Sequence, residues 1–182
     1  MNCWKSINVK KDYHTSKLTL YSISSMIGVF VVSYLFFSFY HNDVHYAEVG
    51  LLQTCLFFTL LFPFHTLLSI VPLWCAGVRV KLHAHHSKIK ILPRITKESK
   101  KPINRNTYLL AILFPTVFAG LVSLLGAFLF PSYMHFFLLV LAFNTGLGVY
   151  DFIYVKQLLG APRDSLIEQK QNSLDILLKQ PM

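Results

Sequence analysis

Residues 49–78 read VGLLQTCLFFTLLFPFHTLLSIVPLWCAGV, and no Asp, Glu, Lys or Arg occurs between Glu48 and Arg79. A surface helix of a soluble domain must show a polar face to water, and this run shows none. It is also long enough to cross a bilayer, which takes roughly 20 apolar residues. Within it two prolines, Pro63 and Pro72, bracket a lone imidazole, His65. The run sets the class, a membrane-spanning chain. It also raises the question of what a titratable ring does inside it.

On either side the chain repeats the pattern. Residues 18–40 again contain none of the four charged residue types. A second uncharged stretch, Asn106–Tyr150, is too long for one helix, and FPSY (Phe130–Tyr133) offers a turn that divides it. The expected spans are 18–40, 51–76, 107–129 and 133–155. A loop 77–106 and a tail 156–182 complete a single polytopic domain, residues 1–182. The whole chain is 54% hydrophobic and 14% charged, with a mean hydropathy of +0.49. A soluble domain of this length carries more charge. The first run is too long for a cleavable signal peptide, and no small-residue cleavage site follows it.

Lysine and arginine orient the spans. Four (Lys5, Lys10, Lys11 and Lys17) precede the first, none lies in the loop after it, and nine fall between spans two and three. The turn between spans three and four has none, and the tail has four (Lys156, Arg163, Lys170 and Lys179). This alternation obeys the positive-inside rule and places both termini and the large loop in the cytosol. The net charge of +9 is therefore a topology signal with some attraction to anionic headgroups. The expected partner is the lipid bilayer, and no nucleic acid is expected. Cys3, Cys55 and Cys75 are an odd set on the cytosolic side and within a helix, so no disulfide is expected.

The non-spanning segments have their own patterns. MNCWKSINVKKDYHTSK reads as a short amphipathic entry segment, with Trp4 and Tyr13 suited to the interface. Apolar and polar residues alternate from Val78 to Ala84 and again around Ile89 and Ile91, a period of two. A β-hairpin over 78–92, turning near His86, is expected. His83 and His85 share a face there, but a wet hairpin tip without an acidic or Cys partner is not a metal site. PRITKESKKPINRN follows as a polar linker, and Asn106 is placed to cap the third helix. In the tail, Leu166, Ile167, Leu174, Leu177 and Leu178 are spaced for a short amphipathic helix on the inner membrane surface. His41 and His45 are solvated loop residues. The fold class expected is an all-α membrane protein, four transmembrane helices with a small cytosolic β-hairpin between helices two and three.

An ionisable residue inside a membrane segment is a functional hypothesis by default. The chain offers His65 in span two and Asp151 near the cytosolic end of span four. Asn144 lies two turns before Asp151 on the same face, and Thr66 and Ser69 accompany His65. Spans two and four run in the same direction, so His65 and Asp151 fall in the same half of the bilayer and can pair. A buried His–Asp or His–Asn bond between helices is worth about 1 kcal/mol.

The segments CWKSIN, FPFHTLLSIVPL, KPINRNTYLLAILFP, FPSYMHFFLLVLAFNTGLGVYDFIYVKQLLGAPRDSLIEQ and LDILL occur in that order. Together they resemble the putative zincin peptidase family, small membrane proteins typical of Bacillus-like Gram-positive bacteria. The resemblance covers nearly the whole chain. It implies a bacterial cell-membrane protein with a fold similar to the core of site-2 intramembrane metalloproteases. Peptidase-like members carry His-Glu-x-x-His on the second span, two imidazoles on one zinc and a Glu that polarises the attacking water. A carboxylate from a later helix completes the site. By that pattern His65 stands for the first His, Thr66 for the Glu and Ser69 for the second His. Asp151 stands for the carboxylate, with Asn144 beside it. Thr66 is no general base and Ser69 is a poor zinc ligand, so the resemblance implies the fold while these two residues undercut the activity. The expectation is a non-catalytic, zincin-like protein without cofactor that binds a membrane protein or peptide between its helices. Two alternatives are an active zinc-dependent intramembrane peptidase with unusual ligands and a small transporter or channel subunit. Against the latter, the spans hold few polar residues and no broken-helix repeat.

Overall fold

The computed structural model describes residues 2–7, 14–41, 45–78, 80–85, 94–99, 102–169 and 174–178. Its helices are α1 (Thr15–Tyr40), α2 (Leu51–Leu68), the short α3 (Val71–Cys75), α4 (Arg105–Leu129) and α5 (Met134–Leu159). Four helical stretches are long and apolar enough to cross a membrane: Ser16–Tyr40, Leu51–Cys75, Arg105–Leu129 and Pro131–Leu159. Proline sets several of the boundaries. Pro131 opens the single 3-10 turn Pro131–Tyr133 that separates α4 from α5. Pro72 occupies the first turn of α3, where its missing N–H leaves no bond unmade. Pro63 and Pro115 remain inside α2 and α4. The third long helix starts at Arg105 with Asn104 at its N-cap, rather than being capped by Asn106.

The central helix is α5. Small residues let its neighbours approach closely, the usual device where helices pack in an apolar medium. A Cβ at Gly146 would collide with Met26 of α1, and the Ser22 hydroxyl donates to the Gly146 carbonyl at 2.7 Å. A Cβ at Gly148 would stand 2.9 Å from Thr116 Cγ2 of α4. Large rings meet α5 on its side toward α2. Phe57 and Phe58 lie against Phe136, and Phe58 and Phe62 against Phe143, at centroid distances of 4.9, 6.4, 5.0 and 5.3 Å. Rings of that size hold the backbones apart, and no residue of α2 is buried. At the far end of the bundle Tyr46 packs edge-on against His135, and Ala47 N–H donates to the Ser132 carbonyl at 2.9 Å. The Tyr34 hydroxyl beside Tyr46 raises its phenol above the ordinary tyrosine range.

The opposite end carries two antiparallel sheets, which corrects the expectation of an all-α chain with one hairpin. β1 (Asn2–Ile7), β6 (Leu174–Leu178), β5 (Leu166–Gln169) and β4 (Ile103–Asn104) form a four-stranded sheet in that order. Leu166–Gln169 and Leu174–Leu178 of the tail are therefore strands, not an amphipathic helix, and the entry segment begins as strand too. The physical reason is burial: Leu174, Asp175 and Ile176 are all buried in succession, which a one-faced surface helix cannot arrange. Ile7, Ile167 and Ile176 join Leu18, Leu73 and Leu158 in one core across the helix ends.

β2 (Val80–His85) pairs with β3 (Arg94–Ser99) in the second sheet, running from Val80 opposite Ser99 to His85 opposite Arg94. The first expected strand is present. Its partner lies in the stretch expected to be a linker, and the expected turn near His86 and strand around Ile89 and Ile91 lie outside the described residues. Three of the six residues of RITKES are charged besides its β-branched Ile95 and Thr96, so it carries no apolar alternation to announce a strand.

Candidate functional site

His65 sits in the last turn of α2 and Asp151 in the second half of α5. The parallel course of the two helices brings His65 Nε2 to 3.8 Å from Asp151 Oδ2, with the side chains 17% and 27% exposed. That distance is ion-pair reach and longer than a direct hydrogen bond. His65 also lines a small recess with Phe64, Leu68, Phe143, Asn144 and Leu147. Its volume, about 10 Å³, is on the scale of one water molecule and far below that of a peptide.

The other expected site residues face elsewhere. The Thr66 hydroxyl donates to the Phe62 carbonyl at 3.1 Å, four residues back. The Ser69 hydroxyl donates to the Thr66 carbonyl at 2.7 Å, and Ser69 itself is the C-cap of α2. Asn144, 3% exposed, donates its amide to the Thr116 carbonyl of α4 at 2.8 Å. The structure thus brings His65 to Asp151, lines the recess beside His65 with Asn144, and commits the polar groups of residues 66, 69 and 144 to main-chain carbonyls.

Catalytic zinc takes three protein ligands and a water. His65 and Asp151 supply two donors. Among the described residues no group of three His, Cys, Asp or Glu comes together that could hold a metal. Residue 66 offers a hydroxyl where a carboxylate would activate water. The described side chains therefore do not fit a catalytic zinc.

Some residues of this region escaped the sequence reading. Arg105 counted only as one of nine loop cations, yet it is buried and bonded to the end of α5. Gly146 and Gly148, two apart on an apolar helix, are the sequence signal for close helix approach that would have placed α1 and α4 beside α5.

Removing the pair should register as a loss of stability. His65→Ala is expected to lower the unfolding free energy by about 1 kcal/mol, read from melting in detergent. In a double-mutant cycle with Asp151→Asn the two effects should be less than additive. Additive effects would show that the two side chains do not act on each other.

Helices long and apolar enough to cross a membrane gather around α5, and a histidine and a carboxylate face each other across the second and last of them. Residues 58–166, more than half of the chain, match the model of a family described as "Putative zincin peptidase". The chain belongs to that family, and the matched segment contains both His65 and Asp151. No curated protein and no solved structure gives a significant match.

Proposed function

We propose that this chain is a non-catalytic, zincin-like multi-pass protein of the bacterial cell membrane that binds a membrane protein or peptide between its helices. One observation carries the loss of catalysis. The hydroxyls at positions 66 and 69, where a base and a second ligand belong, are turned onto the carbonyls of their own helix. The His65–Asp151 pair then serves as a tie between the second and fourth membrane helices. The loose packing of α2, which meets α5 through phenylalanine rings and buries none of its own residues, supports a partner entering beside it. Chelator-free purification and metal analysis test the first part: zinc held through His65 in the parent protein would overturn it. Crosslinking in native membranes from a photoreactive residue in place of Phe62 tests the second, and should give one defined adduct. Labelling by lipid alone would remove the partner.

In this proposal both termini and both sheets lie in the cytosol. The basis is the distribution of Lys and Arg, absent from 41–50 and from 130–133. Reporter fusions after Asn42 and after Ser132 should read extracytoplasmic, and a fusion near Ser87 cytosolic. A cytosolic signal after Asn42 would reverse the first helix and sink the topology.

A further inference from the structure

The start of α4 and the end of α5 meet in a corner with more polar capacity than the fold consumes. Arg105 is only 7% exposed. Its Nε donates to the Leu158 carbonyl at 2.7 Å and its Nη2 to the Leu159 carbonyl at 3.1 Å. These are last-turn carbonyls of α5, where partial negative charge gathers, and to that extent Arg105 is a helix cap. A guanidinium has five N–H donors, however, and two contacts leave three. Among the described residues no carboxylate pairs with it. Ser165 stands in the same corner. Its carbonyl accepts the Arg105 N–H at 3.2 Å, and its own N–H goes to the Pro162 carbonyl at 3.1 Å. The residue is 1% exposed and its hydroxyl is buried with no hydrogen-bond partner.

No guanidinium nitrogen of Arg105 is both buried and unbonded, so its remaining donors are open to a ligand, whereas the Ser165 hydroxyl is buried and unbonded, which is unfavourable. An anion with several acceptor oxygens takes the remaining guanidinium donors as a fork and the serine hydroxyl as a further donor, and phosphate has that geometry. We propose that Arg105 and Ser165 form a binding site for a phosphate group, supplied by the headgroup of an anionic phospholipid. The corner lies at the sheet-bearing end of the helices, where phospholipid phosphates stand if the helices cross a bilayer. The lipid source therefore rests on the membrane placement proposed above; recognition of phosphate itself does not.

The test uses the full chain purified in detergent, with native mass spectrometry and thermal melting. The probes are phosphatidylglycerol, phosphatidylcholine and inorganic phosphate. The parent should retain one phosphatidylglycerol in preference to phosphatidylcholine and melt at a higher temperature with it. Ser165→Ala leaves the Arg105 contacts with α5 intact. It should weaken phosphatidylglycerol binding by about fivefold, the worth of one hydrogen bond, while its lipid-free melting temperature stays near the parent's. Arg105→Gln should abolish the preference. If inorganic phosphate binds and stabilises in the same Ser165-dependent way and phosphatidylglycerol does not, the site stands and the membrane placement of this end falls. If either lipid binds the parent and both variants equally, the lipid is annular and the site is refuted, as it is if no probe binds the parent.

Discussion

Thr66→Glu combined with Ser69→His is expected to yield a chain that purifies with about one zinc ion per molecule, where the parent is expected to carry none. The backbone is already arranged for it. Ser69 keeps a right-handed helical conformation, φ −72° and ψ −10°, and its N–H still reaches the His65 carbonyl at 3.3 Å. Positions 65 and 69 therefore remain one turn apart on one face, the spacing that two imidazoles need to share a metal. Asp151 already stands 3.8 Å from His65 and would be the third ligand. The cost includes the loss of two local hydroxyl bonds to helix carbonyls, which are weak contributors, and the crowding of an imidazole at position 69, which is buried. Metal analysis after chelator-free purification reads the outcome directly. Adding Asp151→Asn to the pair should remove the gained zinc. A double variant that stays metal-free would count against a zincin-like geometry at this site.

Gly146→Val is expected to be the most damaging single change in the bundle. The added Cβ, with two methyls beyond it, would press on Met26 and on the Ser22 carbonyl, push α1 off α5 and break the Ser22–Gly146 hydrogen bond. Overpacking of this kind costs about 1–3 kcal/mol, and the lost bond adds to it. Gly120→Ala is the matched control. A Cβ there finds Leu141 Cδ1 at 3.7 Å and Asn144 Nδ2 at 3.9 Å, ordinary contact distances. Melting in detergent should separate the two variants clearly. Equal melting temperatures would mean that α1 is not held against α5 at this point.

The helices were legible because an apolar medium leaves one strong sequence trace, the uncharged run, and because Pro131 marks the turn between two of them. The His65–Asp151 encounter was legible for a related reason: ionisable residues are so rare in these runs that few partners exist to choose from. The four-stranded sheet was not. Its strands are short, and Asn2–Ile7 pairs with Leu174–Leu178 across nearly the full chain, so no local pattern records the pairing. The leucines and isoleucine of the tail fit a helical face as well as a strand. Only the contact with Ile7 and Ile103 decides between them, and that contact is tertiary. In the smaller sheet Val80–His85 alternates visibly, while Arg94–Ser99 reads as a linker because charge hides it. At the site, sequence placed Thr66 and Ser69 beside His65 correctly along the helix. It could not tell that both hydroxyls turn back onto the main chain, a rotamer preference that only the packed helix resolves.

The pairing of β1 with β6 also imposes an order on synthesis. β1 leaves the ribosome before any of the four long helices, and its hydrogen-bonding partner leaves after all of them. Chains emerge N-terminal end first, so the β1 edge that pairs with β6 must wait for its partner through the making of the whole bundle. The sheet therefore acts as a latch that closes last. A nascent chain stalled before residues 174–178 has an unpaired β1 edge, the kind of edge that invites pairing with another chain.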